Sequence, residues 1–172
     1  MKKFIYPVLA TLVLFTGCGD TKPSHMKKHK MFQSVAKEQA ILVQDTKDKQ
    51  YCVKCGMDLI RFYKTSHTAM SEDGKRNFQY CSIHCLEDHL GEGINLKNPK
   101  VVDVSSLKLL PVSNVTYVVG SKVRGTMSKV SKYAFSTLKE AQKFQAKNGG
   151  ELMNFNEALT KAKEDFKHYN RH

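Results

Sequence analysis

The sequence predicts an α+β fold made of two small β-β-α-β units with a terminal helix. Three observations carry that prediction. The order of strand-like and helix-like segments repeats once; each half has a polar or glycine turn before its helix; and the last stretch keeps helical apolar spacing. In the first half, Leu59–Tyr63 and His67–Met70 read as strands, Glu72-Asp73-Gly74 as a turn, and Phe78 and Tyr80 alternate on a further strand. Ser82 is placed to cap a helix from Ile83 to Leu90 that Gly91 ends. After a break at Asn98-Pro99, Val101–Val104 reads as a strand.

The second half runs in the same order. Thr116–Val119 is a strand closed by Gly120, and "KVRGTMSKVSKYAF" supplies a turn at Gly125 and a return strand. Thr137 with Glu140 three residues later is a capping box, Leu138, Ala141 and Phe144 share one helical face, and Asn148-Gly149-Gly150 ends the helix. Glu151–Phe155 resumes as strand. A final helix from about Asn156 to Tyr169 turns Ala158, Leu159, Ala162 and Phe166 inward.

The N-terminal region has a different character. Lys2 and Lys3 precede an apolar run from Phe4 to Phe15, which ends in Thr16-Gly17-Cys18: a charged region, a short apolar region and small residues directly before a cysteine. Residues 1–17 therefore read as a lipoprotein signal peptide, with Cys18 as the acylated first residue of the mature chain, although Phe15 stands where leucine is usual. The run is too short to span a bilayer as a mature helix. Residues 18–45, which hold "SHMKKHKM", read as a lipidated, flexible basic tether, in which His25, Met26, His29 and Met31 are isolated soft-metal donors. Residues 46–97 form the Cys-rich unit, and residues 98–172 the second unit with the terminal helix. The expected location is the cell envelope, anchored by lipid and facing the periplasm.

The net charge is +12, and cleavage before Cys18 removes Lys2 and Lys3, leaving +10 on 155 residues (172 minus 17). The lysines are scattered among acids and few aromatics are interleaved, so the pattern speaks against a nucleic-acid partner and for solvation with some affinity for anionic membrane. Catalysis has no support either. There is no Ser-His-Asp order, no paired carboxylates, and no strand-helix setting to make Cys52-Val53-Lys54-Cys55 a redox active site, so the chain reads as a non-enzyme.

With Cys18 assigned to lipid, Cys52, Cys55, Cys81 and Cys85 remain. Two close pairs fit two disulfides, a redox couple or a metal knuckle. The first pair lies on a tight turn and the second brackets a helix start, an arrangement like that of treble-clef metal sites. A helix N-terminus favours thiolate, so Cys85, and Cys81 with it, is expected to lean toward the anionic form. Met57, two residues after Cys55, favours copper(I) over zinc, since zinc sites rarely recruit methionine; the plainer reading is a turn filler. His84, beside Cys85, is a further candidate ligand or a surface histidine, while His67 and His89 read as ordinary polar residues.

The segments "CVKCGMDLI", "NFQYCSIHCLEDHL" and "TYVVGSKVRGTMSKVSKYAF", together with the small residues before Cys18, resemble the NosL family of nitrous-oxide-reductase accessory lipoproteins. The first half also resembles TRASH-type metal-binding modules. That resemblance implies a periplasmic copper(I)-binding lipoprotein that serves as a copper chaperone in maturation of nitrous oxide reductase, with a membrane ABC-type maturation complex as second partner. Cys55 and Met57 fall on the family's Cys-Gly-Met signature, and Met127 on the methionine of the second-unit turn. The chain departs from the family in that turn, which reads Gly125-Thr126-Met127-Ser128 where Gly-Pro-Met-Gly is commoner, and in its denser set of four cysteines. The alternative is a zinc-knuckle or disulfide-stabilised extracytoplasmic module for protein interaction or metal sensing.

Overall fold

A computed structural model describes residues 31–169, the side chains of 167–169 excepted. The expectations for residues 1–17, for Cys18 and for His25, Met26 and His29 lie outside the described residues. The predicted pair of units is present. In the first, β1 (His67–Ser71) and β2 (Asn77–Tyr80) form a hairpin, α1 (Ile83–Gly91) follows, and β3 (Leu96–Val102) returns to β1, with β4 (Leu109–Pro111) added outside it. In the second, β5 (Thr116–Val119) and β6 (Lys132–Phe135) pair, α2 (Leu138–Asn148) follows, and β7 (Glu151–Met153) returns to β5. The sheet orders β2-β1-β3-β4 and β6-β5-β7 both put the unit's first strand between its second and third. All pairings are antiparallel. The last helix, α3 (Phe155–Tyr169), packs across α1.

Local chemistry sets most of these boundaries. Thr137 Oγ1 accepts from the Glu140 backbone N–H, the N-cap half of the expected capping box, while the Glu140 carboxylate accepts from the Thr137 hydroxyl at 3.0 Å instead of from its backbone N–H. Asn154 and Glu157 form a reciprocal pair at the start of α3. Ser82, by contrast, sits at the start of α1 with extended backbone but makes no capping bond, and its Oγ is buried without a partner.

Four expectations need correction. Leu59–Tyr63 is not a strand: Asp58 Oδ1 accepts from the backbone N–H of Ile60 and Arg61, which folds the segment into turns that end in a 3-10 turn at Tyr63–Thr65. The strand placed at Val101–Val104 begins at Leu96 and ends at Val102, so the boundary drawn at 97/98 falls inside β3. Asn98-Pro99 does not break that strand; it is absorbed as a register shift against Thr68–Met70, with Asn98 at φ 50° and no N–H on Pro99. Residues 32–45 are not a free tether. Gln33, Val35 and Gln44 are buried, and Gln79 binds this stretch from below, accepting from the Val43 N–H and donating to the Ile41 carbonyl.

The two units share an interior. His67 of β1 is fully buried; its Nδ1 donates to the Thr65 carbonyl, which leaves Nε2 to accept from the Tyr117 hydroxyl of β5 at 3.0 Å. Ile83 of α1 packs in one cluster with Tyr117, Ala134, Ala158 and Ala162. Small alanines on α3 allow that helix to approach α1 closely. Among the described residues no helix is long and apolar enough to cross a membrane.

Candidate metal centre

The site is built from a turn and a helix start. Gly56 N–H donates to the Cys52 carbonyl and Cys52 N–H to the Met57 carbonyl, both at 2.9 Å, closing a tight loop in which Gly56 has φ 71°. That left-handed conformation is open to glycine at little cost, which accounts for the glycine between Cys55 and Met57. The loop is tied to the hairpin by the Val53 N–H donating to the Gln79 carbonyl, and to the far end of α1 by Lys54, which pairs with Asp88 at 3.0 Å and Glu92 at 2.5 Å. Cys81 directly follows β2 and Cys85 lies in the first turn of α1.

These elements bring four free thiols together, with every sulfur within 4.8 Å of the others. Cys55 Sγ lies 3.5 Å from Cys81 Sγ and 3.6 Å from Cys85 Sγ, and Cys81 and Cys85 are 3.7 Å apart. Cys52, Cys81 and Cys85 are buried, and Cys55 is exposed. Met57 Sδ lies 3.9 Å from Cys81 Sγ, and Met57 and Met127 both pack against the apolar cluster that contains Cys52, Cys81 and Cys85. A tetrahedron with metal–sulfur bonds of about 2.3 Å has edges of about 3.8 Å, so the spacing matches that of thiolates around one ion.

Contacts with Cys55, Cys81 and Cys85 hold Cys52 well below the ordinary thiol range. At Cys55 the contact with Cys52 pushes upward, but those with Cys81 and Cys85 prevail and the thiol is lowered. Cys81 and Cys85 are pushed far up, by Cys52 and Cys55 first, with burial adding to it. The expected thiolate bias of Cys85 and Cys81 is thereby reversed: hydrogen-bond contacts with the neighbouring thiols, and burial, outweigh the helix terminus. A soft cation entering the cluster would displace the remaining protons and relieve the crowding of negative charge.

Met127 reaches the cluster from the second unit on a turn held from several sides. Gln33 Nε2 donates to the Arg124 carbonyl at 2.6 Å and the Gly125 carbonyl at 3.2 Å, and the Tyr133 hydroxyl donates to Arg124 as well. Thr65 Oγ1 lies 2.8 Å from both the Cys81 carbonyl oxygen and Thr126 Oγ1, linking the cysteine strand to the residue before Met127. A Cβ at Gly125 would meet Ser128 O and Ser131 Cα at 2.9 Å, so this glycine answers a close backbone approach. Met127 itself has φ 70°. Thr65, Gln33 and Thr126 escaped sequence reasoning, because nothing local marks a hydroxyl or amide whose partners lie some 60 to 90 residues away.

His84 is not brought to the sulfurs. Its Nε2 faces Lys132 Nζ at 3.4 Å and Asp165 Oδ2 at 3.5 Å, and its ring packs on Phe166, so it belongs to the contact between α1 and α3. Burial, with Lys132 adding to it, lowers its pKa to about 4. His67 and His89 are buried rather than ordinary polar residues, His89 with Nδ1 2.7 Å from the Tyr80 hydroxyl.

A two-unit α+β chain whose first unit ends in four converging thiols, with two thioethers at their edge, defines the class: a small protein with a sulfur cluster capable of holding a soft metal ion. The family model NosL matches residues 42–162, and the chain belongs to that family. No curated protein matches the sequence. Among solved structures, the crystal structure of the copper chaperone NosL from Shewanella denitrificans is similar in fold, with a TM-score of 0.52 and 20% identity over 73% of this chain and 95% of that one.

Proposed function

We propose that this protein is a copper(I)-binding chaperone, anchored by lipid at Cys18 on the periplasmic side of the cell envelope, that supplies copper during maturation of nitrous oxide reductase through a membrane ABC-type complex. Family membership and the likeness in fold to a copper chaperone support the reading. The observation that carries it is the asymmetry of the sulfur cluster: three buried thiols, one exposed thiol at Cys55, and the thioether of Met57 beside Cys81. Copper(I) accepts low coordination by thiolate and thioether, so an incoming ligand from a recipient can add at the Cys55 side while a donor sulfur leaves. The ligands proposed are Cys52, Cys55, Cys81 and Cys85 with Met57, and Met127 as the donor contributed by the second unit. No catalytic step is assigned to the chain.

The retention of methionine at φ 70° supports a role for Met127. Glycine is favoured there, and a side chain kept against a backbone cost of about 1–2 kcal/mol has a reason beyond turn geometry. One observation favours the zinc alternative: sulfur separations of 3.5–3.7 Å fit the edge of a four-thiolate tetrahedron. Anaerobic copper(I) titration of the reduced chain with zinc as competitor decides between them. Displacement of zinc by copper(I), and loss of copper affinity on Cys55→Ser, support delivery; zinc that copper(I) does not displace overturns it.

A further inference from the structure

The positive charge of the chain is unevenly placed, and one helix gathers it. Residues 46–111, the first unit, carry ten lysines and arginines against eight acids, whereas residues 112–172 carry eleven against five. On α2, Lys139, Lys143 and Lys147 follow one another at four-residue spacing and are all exposed. Among the described residues none of the three makes a hydrogen bond or ion pair, and the acid nearest them in sequence, Glu140, is held by Thr137 and Ser136. Leu138, expected to face inward with Ala141 and Phe144, is 54% exposed at the first position of α2; by helical spacing it stays on the Ala141 side and not among the lysines. The opposite side of α2, with Ala141 and Phe144, packs on Tyr133 and Phe135.

The path of the chain points the same way. Phe32, the second described residue, packs edge-on against Tyr133 at 5.1 Å and against Phe144 of α2 at 5.8 Å. The polypeptide that precedes it therefore reaches the fold beside α2. Fourteen residues (32 minus 18) separate Phe32 from Cys18, a contour of at most about 50 Å, and Lys22, Lys27, Lys28 and Lys30 lie within it. An acyl chain on Cys18 would thus hold α2 within reach of a lipid surface.

We propose that the outer face of α2 is the membrane-docking face of the protein, with Lys139, Lys143 and Lys147 engaging anionic phospholipid headgroups. This rests on the lipid anchor proposed above. Three lysines near an anionic surface, together with one anchor, form the two-signal attachment that a single acyl chain lacks. Docking through the second unit leaves the sulfur cluster of the first to its own partners.

The test is amine acetylation of the full lipidated chain in vesicles, read residue by residue by mass spectrometry. Vesicles with phosphatidylglycerol are compared with pure phosphatidylcholine, and Lys75 and Lys100, exposed in the first unit, are the internal controls. The expected result is at least a fivefold slowing at Lys139, Lys143 and Lys147 on the anionic vesicles, reversed by 0.5 M salt, with the controls unchanged. The variant K139Q/K143Q/K147Q, which alters only exposed side chains, should lose the salt-sensitive part of vesicle binding. Equal labelling on both lipids, or equal slowing on both, overturns the proposal. Slowing seen in native membranes but not in pure anionic lipid also overturns it, in favour of an acidic protein partner. The acyl mass on Cys18 is read in the same digest. An acylated chain without protection overturns docking alone, and a protected chain without acylation keeps docking and overturns the anchor.

Discussion

At Met127 a thioether is carried on a backbone conformation that suits glycine, and this sets two properties against each other. Met127→Gly should stabilise the metal-free protein by about 1 kcal/mol, since it relieves the left-handed conformation. The same change should weaken copper(I) retention, which competition with a copper(I) chelator would read. Stabilisation without loss of retention would assign Met127 to packing. His67 gives a pH dependence of definite sign. Burial holds its folded pKa at about 3, below the ordinary 6.5, so as pH falls the unfolded chain takes the proton first. Its contribution to stability is intact above about pH 6.5 and is lost as pH falls toward 3, by at most about 5 kcal/mol. Chemical denaturation of the native chain and of His67→Gln across pH 4 to 7 checks this, the variant showing the shallower slope.

Among the elements, α1 is fastened at both ends. Its first turn carries Cys85, its last turn is tied to the cysteine loop through Lys54, and its outer side meets α3. The α3 contact holds a buried charge pair, Lys132 with Asp165, with His84 beside it. Burial lowers the Lys132 pKa although Asp165 opposes the shift. Removing one partner leaves the other charged and desolvated, so Asp165→Leu and Lys132→Met should each cost about 3–5 kcal/mol, whereas the two together should recover most of it. Urea unfolding of the two singles and the double tests this, and additive losses would show that the pair is not coupled.

The elements also show where the sequence was legible. Capping at Thr137, the glycines after α2 and the alternation of Phe78 with Tyr80 act within a few residues, and the structure has each where the pattern placed it. Leu59–Tyr63 misled because its apolar content resembles a strand while Asp58, just before it, dictates turns. The β3 strand was cut short because Asn98-Pro99 is a break by local rules, and only pairing with β1 on one side and β4 on the other carries the strand through it. Residues 32–45 read as tether because their anchors, Gln79 and the Arg124-Gly125 turn, are remote in sequence.

For the whole molecule, the sulfur cluster is part of an apolar core that holds as many large side chains as thiols. Leu59, Ala69, Phe78, Tyr80 and Leu86 surround the cysteines, and His67–Tyr117 joins this unit to the second. The metal-free, reduced chain is therefore expected to melt cooperatively, with metal raising Tm only as its affinity and free concentration require. A first unit that unfolds on chelation, seen as loss of amide protection in residues 46–102 alone, would favour the structural zinc alternative.

By itself the sequence determined the order of the main strands and helices, the two-unit plan, and the types of donor offered to a metal, but not the turns at Leu59–Tyr63 or the added strand β4. Periodicity, capping and residue chemistry are local and act in any fold that accepts them. The tertiary structure decided which donors meet. Convergence of Cys52 and Cys55 with Cys81 and Cys85 requires the loop to close on the hairpin and α1, the arrival of Met127 requires the second unit to dock, and the departure of His84 follows from Lys132, Asp165 and Phe166 claiming its ring. The physical reason is one of range: helix and turn signals are set over a few residues, whereas coordination and burial depend on contacts between residues tens of positions apart.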